Sequence, residues 1–271
     1  MIVIDKKYNS LEKVNMNKLK MLGIGLIKIP GAIPNGRFEI IFTKGISQSL
    51  IQDVFELYKN EIIEKKRGNS IIPLDDFSLY INYFQNNGDI LVVIFMDEKN
   101  QTVNFPQLYM FTKKIANHIH LNKPLSDIET IFNQEVDIPR SEGIDAVLIL
   151  GSSGCLYFSK INKEKSSIAR SELHISGFIS ALYSFSREII NQDSGGNLKE
   201  INFGNQLFYI ITQNNVIFVF LVKKMDPLIE RYMYLLADEF LNQHHDHLKN
   251  FNGDVSPFNE FEKIINQYLI I

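Results

Sequence analysis

Residues 145–161, DAVLILGSSGCLYFSKI, and residues 174–190, HISGFISALYSFSREII, decide how this chain folds. Asp145 to Leu150 is a short, almost wholly apolar run, as suits a strand inside a sheet. Gly151, Ser152, Ser153 and Gly154 supply a tight turn, and CLYFSKI returns as the neighbouring strand. From Ile175 the apolar spacing lengthens. Ile175, Phe178, Ile179, Leu182, Phe185 and Ile189 form one side of a helix. Its opposite side carries Gly177, Ser180, Ala181 and Ser184, small enough for another surface to approach closely.

Downstream, Asp193 to Gly196 reads as an exposed turn. Strands are expected at 198–204, 206–213 and 216–223, the last two joined by Asn214 and Asn215 as a two-residue hairpin. Asp226 suits the cap of the next helix because its carboxylate accepts free amide hydrogens, and Pro227 suits the first turn because it has none to lose. Ile229, Met233, Leu236 and Phe240 give that helix a buried stripe. A last helix at about 257–269 follows from Phe258, Phe261, Ile264, Ile265 and Tyr268. Together these elements predict a five-stranded antiparallel sheet with attached helices, an α+β arrangement.

The first half repeats much of this. Strands near 22–29 and 37–43 precede a helix at about 47–65 marked by Ile51, Val54, Phe55, Tyr58 and Ile62. Arg67, Gly68 and Asn69 break that helix, and SIIPL reads as a short edge strand because Pro73 cannot donate to a ladder. FSLYINYFQNNGDILVVIF at 77–95 then parallels LFYIITQNNVIFVFLV at 207–222: strand, Asn-Asn turn, more apolar strand. The first copy carries Gly88 and Asp89 as additional turn residues. A helix with Leu108, Phe111, Ile115 and Ile119 follows. Recurrence in the same order predicts two copies of one domain, at 20–122 and 143–271, with 123–142 as connector and room there for one short helix.

The 271 residues provide for two cores of about 120 to 130 residues each. A net charge of −3 supplies no general attraction for nucleic acid. The single cysteine, Cys155, excludes an intrachain disulfide and points to a reducing compartment. No apolar run reaches the roughly 18 residues that cross a bilayer, and the first twenty residues lack the order of a secretory signal. The expectation is a cytoplasmic protein that meets membranes only through a partner.

No side-chain pattern reads as a catalytic site. A P-loop is absent, GIG at 23–25 lies in a strand without the third glycine of a dinucleotide loop, and GSSG is read as a hairpin turn. His244, His245 and His247 with Asp246 are the densest group of metal-ligand types. No Cys or HExxH pattern completes a zinc site, so they are read as a solvated helix end. His118 and His120 are read likewise. Cys155 lacks a base and oxyanion donors and is read as a buried strand residue; Asp75, Asp76 and Asp193 are assigned turn and capping roles. No cofactor is expected. Alternation in FSLYINYF leaves Tyr80, Tyr83 and Phe84 as candidate interface residues.

The second half resembles the longin and roadblock group of domains. The resemblance rests on the strand Ala146 to Leu150, the GSSG turn, the strand Cys155 to Ile161 and the helix from near His174. The element AVLILGSSGCLYFSK…ISGFISALYSFSREI is especially similar to longin-like proteins, including those of Asgard archaea, and the likeness spans about 143–270. The first half is similar more weakly over about 20–122, with a longer first connection and no GSSG turn. The resemblance implies two tandem longin-like domains, each ordered β-β-α-β-β-β-α, with an extra C-terminal helix in the second. It also implies a noncatalytic module that binds a small Ras-like GTPase or another longin or roadblock protein, or pairs with itself. Ile175, Phe178, Leu182 and Tyr183 become a candidate packing or partner surface. Guanine-nucleotide exchange, alone or as a subunit, is the alternative implied by tandem-longin exchange factors; a small-molecule sensor is a third.

Overall fold

The computed structural model describes residues 18–31, 37–99, 104–162, 172–189, 198–204 and 206–271. The first half comprises β1 (Leu19–Lys20), β2 (Gly23–Ile29), β3 (Glu39–Lys44), α1 (Gln48–Lys65), β4 (Arg67–Pro73), β5 (Phe77–Asn86), β6 (Asp89–Glu98), α2 (Phe105–His120), α3 (Leu125–Glu135) and β7 (Val136–Asp137). The second comprises β8 (Ile144–Gly151), β9 (Leu156–Ile161), α4 (Glu172–Ile189), β10 (Glu200–Asn202), β11 (Leu207–Gln213), β12 (Val216–Val222), α5 (Pro227–Gln243), α6 (His245–Lys249), a 3-10 turn (Ser256–Phe261) and α7 (Glu262–Tyr268). The expected turn at Asp193 to Gly196 lies outside the described residues.

Two antiparallel five-stranded sheets result, ordered β3-β2-β6-β5-β4 and β9-β8-β12-β11-β10. In each, the last of the five strands lies beside the first of them, so the most apolar strands, β6, β8 and β12, end up central and buried. Both faces of each sheet are covered. On the first sheet, α1 packs on Leu79, Ile81, Val92 and Ile94, while α2 and α3 pack on Ile24, Leu26, Val93 and Phe95. On the second, α4 lies over Leu148, Leu150 and Val219, and α5 with α7 over Val147, Ile149, Phe218 and Phe220.

Local chemistry places the turns. Asn214 and Asn215 sit at φ 50° and 63°, the left-handed pair that a two-residue hairpin needs. The matching pair in the first half is Asn87 (φ 51°) and Gly88 (φ 89°), because Asn86 still pairs with Asp89 in the ladder. The two copies are therefore in register one residue later than the Asn-Asn match suggests. Ser47, Asn104 and Asp226 cap α1, α2 and α5 through the amides of Leu50, Gln107 and Ile229. α1 ends at Lys66, left-handed at φ 57°, and β4 starts at once. Arg67, Gly68 and Asn69 are thus strand residues, and the edge strand is longer than SIIPL. Gly25 lies directly under α1: a Cβ there would stand 2.1 Å from Ile51 Cδ1, so a larger residue would have to push the Ile51 side chain aside.

Two further elements differ from expectation, and the connector holds the short helix for which the sequence left room. Cys155 lies in the turn before β9 and is half-buried, because a register shift at Ile149 and Leu150 delays the return strand to Leu156. The last helix divides into a 3-10 turn and α7. The segment after α2 is tied down at both ends: Ile128, Ile131 and Phe132 of α3 join the first core, and Val136 pairs in parallel with Leu19. Beyond it, the Ser141 amide donates to Tyr268 O at 2.7 Å and Ser141 O accepts from Ile270 N at 3.0 Å.

Candidate interaction surfaces

The two halves meet where α5 and α7 reach the turn between β3 and α1. Gly45 is the centre of this contact. Its amide donates to the Tyr268 hydroxyl at 3.1 Å, and its carbonyl accepts from the Arg231 guanidinium. Arg231 Nη2 also donates to Leu22 O at 3.2 Å, and the guanidinium lies over the Tyr232 ring at 4.4 Å from its centroid. No carboxylate pairs with it among the described residues. Burial pulls the Arg231 pKa down, with Tyr232 and Tyr268 acting the other way. Gly45 itself is left-handed at φ 67°, and a Cβ there would stand 2.3 Å from Leu22 O.

Two turns of α5 further on, Asp238 accepts from the amide of Gln48 at 3.0 Å and lies at 3.5 Å from that of Ser49. The second half thereby caps a helix of the first, satisfying amides that α1 cannot use internally. Leu228 packs against the α1 core as well as its own. Beside this contact a cleft of 280 Å³ is lined from both halves, by Lys44 and Glu129 from one and Glu239 and Tyr268 from the other. Burial and the neighbouring Asp238 raise the Glu239 carboxyl to about 7. Burial lowers the Lys44 ammonium, which donates to Asn133 Oδ1 at 2.5 Å. Sequence patterning marks none of Arg231, Asp238 or Glu239, whose sites are made by residues far away in the chain.

α4 lies on the face of the second sheet opposite α5 and α7, and so points away from the first half. Its inward side is Ser176, Ile179, Ser180, Tyr183 and Ser186. The apolar side read from the spacing is divided: Ile179 is buried, whereas Phe178 and Phe185 are 46% and 59% exposed. Ser176 and Ser186 can face inward because each hydroxyl donates to a carbonyl one turn back, on Leu173 at 2.9 Å and Tyr183 at 2.8 Å. Phe178 stands 6.3 Å from Phe203, itself 53% exposed, which contacts Phe208 at 5.7 Å. Phe178, Phe185 and Phe203 form an outward aromatic surface. Ile175 and Leu182 are half-buried at its base, whereas Tyr183 is buried against the sheet.

The first-half candidates divide by strand alternation. Tyr80 and Phe84 face α2 and are half-buried, with Tyr80 5.9 Å from Phe105. Tyr83 faces α1, is buried, and donates its hydroxyl to Glu61 at 3.3 Å.

Among the histidines, His244 is buried rather than solvated, because the 3-10 turn folds over it and places Phe258 and Phe261 against its ring. Burial, with the neighbouring His247, lowers its pKa. His245 is exposed beside Asp246, and His247 packs at 6.1 Å from His244. His118 and His120 contact Lys114 O and Asn87 instead of each other. Among the described residues no cluster of three His, Cys, Asp or Glu has a geometry that would hold a metal ion. No helix among them is long and apolar enough to cross a membrane.

Counted within each half, both sheets have the strand order 2-1-5-4-3, with a helix between the second and third strands and helices after the fifth. That arrangement is the longin/roadblock-like fold, present twice in tandem. A roadblock/LC7 domain from Streptomyces avermitilis, known as a crystal structure, is similar over 37% of this chain and 83% of its own, with 16% identity and a TM-score of 0.30. No protein-family model and no curated protein matches the chain.

Proposed function

We propose that this protein is a noncatalytic scaffold that binds a small Ras-like GTPase through the outward side of α4. The observation that carries this reading is the aromatic surface of Phe178, Phe185 and Phe203, on the domain face that the internal pairing leaves free. Large exposed aromatic side chains are the usual anchors of a protein interface, and here Phe178 meets Phe203 while Phe185 stands exposed two turns further along α4. The internal pairing itself uses α5, α7 and the Gly45 turn, so the tandem has the form of a preassembled dimer, held by a high effective concentration.

The test is titration calorimetry of the full chain against the small GTPases of its own genome, each in its GDP and GTP-analogue forms. The expected result is saturable binding that Phe178→Asp with Phe185→Asp weakens by about 100-fold, with little change in melting temperature because both rings are exposed. Absence of binding across the panel, or equal binding by the double variant, would overturn the proposal. Accelerated release of a fluorescent nucleotide by the full chain would make it an exchange factor instead, and concentration-dependent mass in light scattering would assign the same surface to a second copy.

A further inference from the structure

A groove of 770 Å³ opens on the first domain between α2 and the edge of its sheet. Arg67 pairs in register with Phe84, Asn69 with Asn82 and Ile71 with Tyr80, so these side chains share the sheet face that α2 covers only in part. α2 contributes Tyr109, 58% exposed, and Lys113 as the opposite wall, and Lys65 and Lys66 stand at the end of α1. Lys65, Lys66, Arg67 and Lys113 line this groove and no Asp or Glu does, in a chain whose net charge is −3. Lys65 is paired with Glu61 at 2.9 Å; Lys66, Arg67 and Lys113 make no ion pair among the described residues.

The groove also has a rail. β4 is the last strand of its sheet, so one side of Arg67–Pro73 keeps unpaired amides and carbonyls. Seven residues extend over about 23 Å. On the face toward α2 this strand presents, in order, a cation, an amide and an exposed apolar side chain: Arg67, Asn69 and Ile71. A lipid headgroup or a nucleic acid would meet the cations but leave the main chain unpaired. An extended polypeptide meets both.

We infer that this groove binds an extended acidic peptide, which adds to β4 as a sixth strand, sets its carboxylates against Lys66, Arg67 and Lys113, and covers Ile71 with an apolar side chain. The site is separate from the α4 surface, so the scaffold would hold two partners at once.

The experiment is fluorescence anisotropy of the full chain with a labelled peptide of about nine residues alternating Glu and Val. A Lys-Val peptide and a Glu-Val peptide N-methylated at alternate amides serve as controls. Expected are saturable binding of the Glu-Val probe, weakened about tenfold or more by Arg67→Glu with Lys113→Glu and by about 0.5 M salt, and loss of binding for both controls. Arg67 and Lys113 are exposed, and a melting curve checks that the double variant folds; Lys66→Glu alone provides a second, milder variant. The inference is overturned if the Lys-Val peptide binds equally, if the double and single variants bind unchanged, or if N-methylation leaves affinity intact, which would reduce the site to charge alone. Binding of phosphoinositide vesicles or single-stranded RNA without binding of the Glu-Val probe would also overturn it.

Discussion

Gly45 is held from both of its peptide groups by the other half of the chain, and that shapes what single substitutions do. Arg231→Met removes charge-assisted hydrogen bonds to the carbonyls of Gly45 and Leu22 but also relieves the desolvation of the guanidinium. The net cost expected is about 2 kcal/mol, measured by urea denaturation. Glu239 acts in the opposite sense. Its folded pKa of about 7 lies above the ordinary value of 4.5, so the folded state binds the proton more tightly and ionisation costs stability. That cost is absent below about pH 4.5, grows through the interval to 7 and is complete above it. Glu239→Gln is expected to stabilise the protein by roughly 2 to 3 kcal/mol at pH 8, a gain that disappears at pH 4.5. His244, whose pKa burial lowers, adds an acid-side destabilisation of its own. The informative readout is therefore the difference between parent and variant melting curves across pH, and an equal difference at both ends would contradict the assignment.

At the scale of elements, α4 is where packing and pattern part company. The hairpins, the Asn turns and the capped start of α5 were legible in the sequence because their determinants are neighbours in the chain: φ preferences at Asn214 and Asn215, and a carboxylate three residues from the amide it accepts. The face that α4 buries was not. Periodicity follows apolar side chains, whereas Ser176 and Ser186 turn inward by bonding to their own helix and leave Phe178 and Phe185 outside. Ser180 has no such partner; its hydroxyl is buried and unsatisfied. Ser180→Ala is expected to raise stability by about 1 kcal/mol without altering the outward surface, a result read from thermal melts. A loss instead would mean that the hydroxyl is satisfied in solution. His244 was misjudged for a related reason: the side chains that bury it come from Phe258 and Phe261, after the helix it ends. Arg231 lay beyond reach altogether, since its acceptors Gly45 and Leu22 precede it by 186 and 209 residues.

At the scale of the molecule, the contacts that join the halves are polar, specific and few, set around Leu228 packing into both cores. They couple the unfolding of two bodies that each have their own sheet. One calorimetric transition is expected for the parent chain. In the double variant Arg231→Met with Asp238→Ala, which loses both the clasp on Gly45 and the cap on α1, two separate transitions are expected, the first half melting earlier. Two transitions already in the parent would show that the clasp does not couple the domains. The clasp also has a history in time. Gly45 and Tyr268 are 223 residues apart. At synthesis rates of about 5 to 20 residues per second, the turn leaves the ribosome about 10 to 45 s before the hydroxyl that receives its amide. During that interval the newborn first domain must stand without its clasp, with the amide ends of α1 answered by water and by Ser47 alone. The protein is thus built with an early half that waits for the later one to close its clasp.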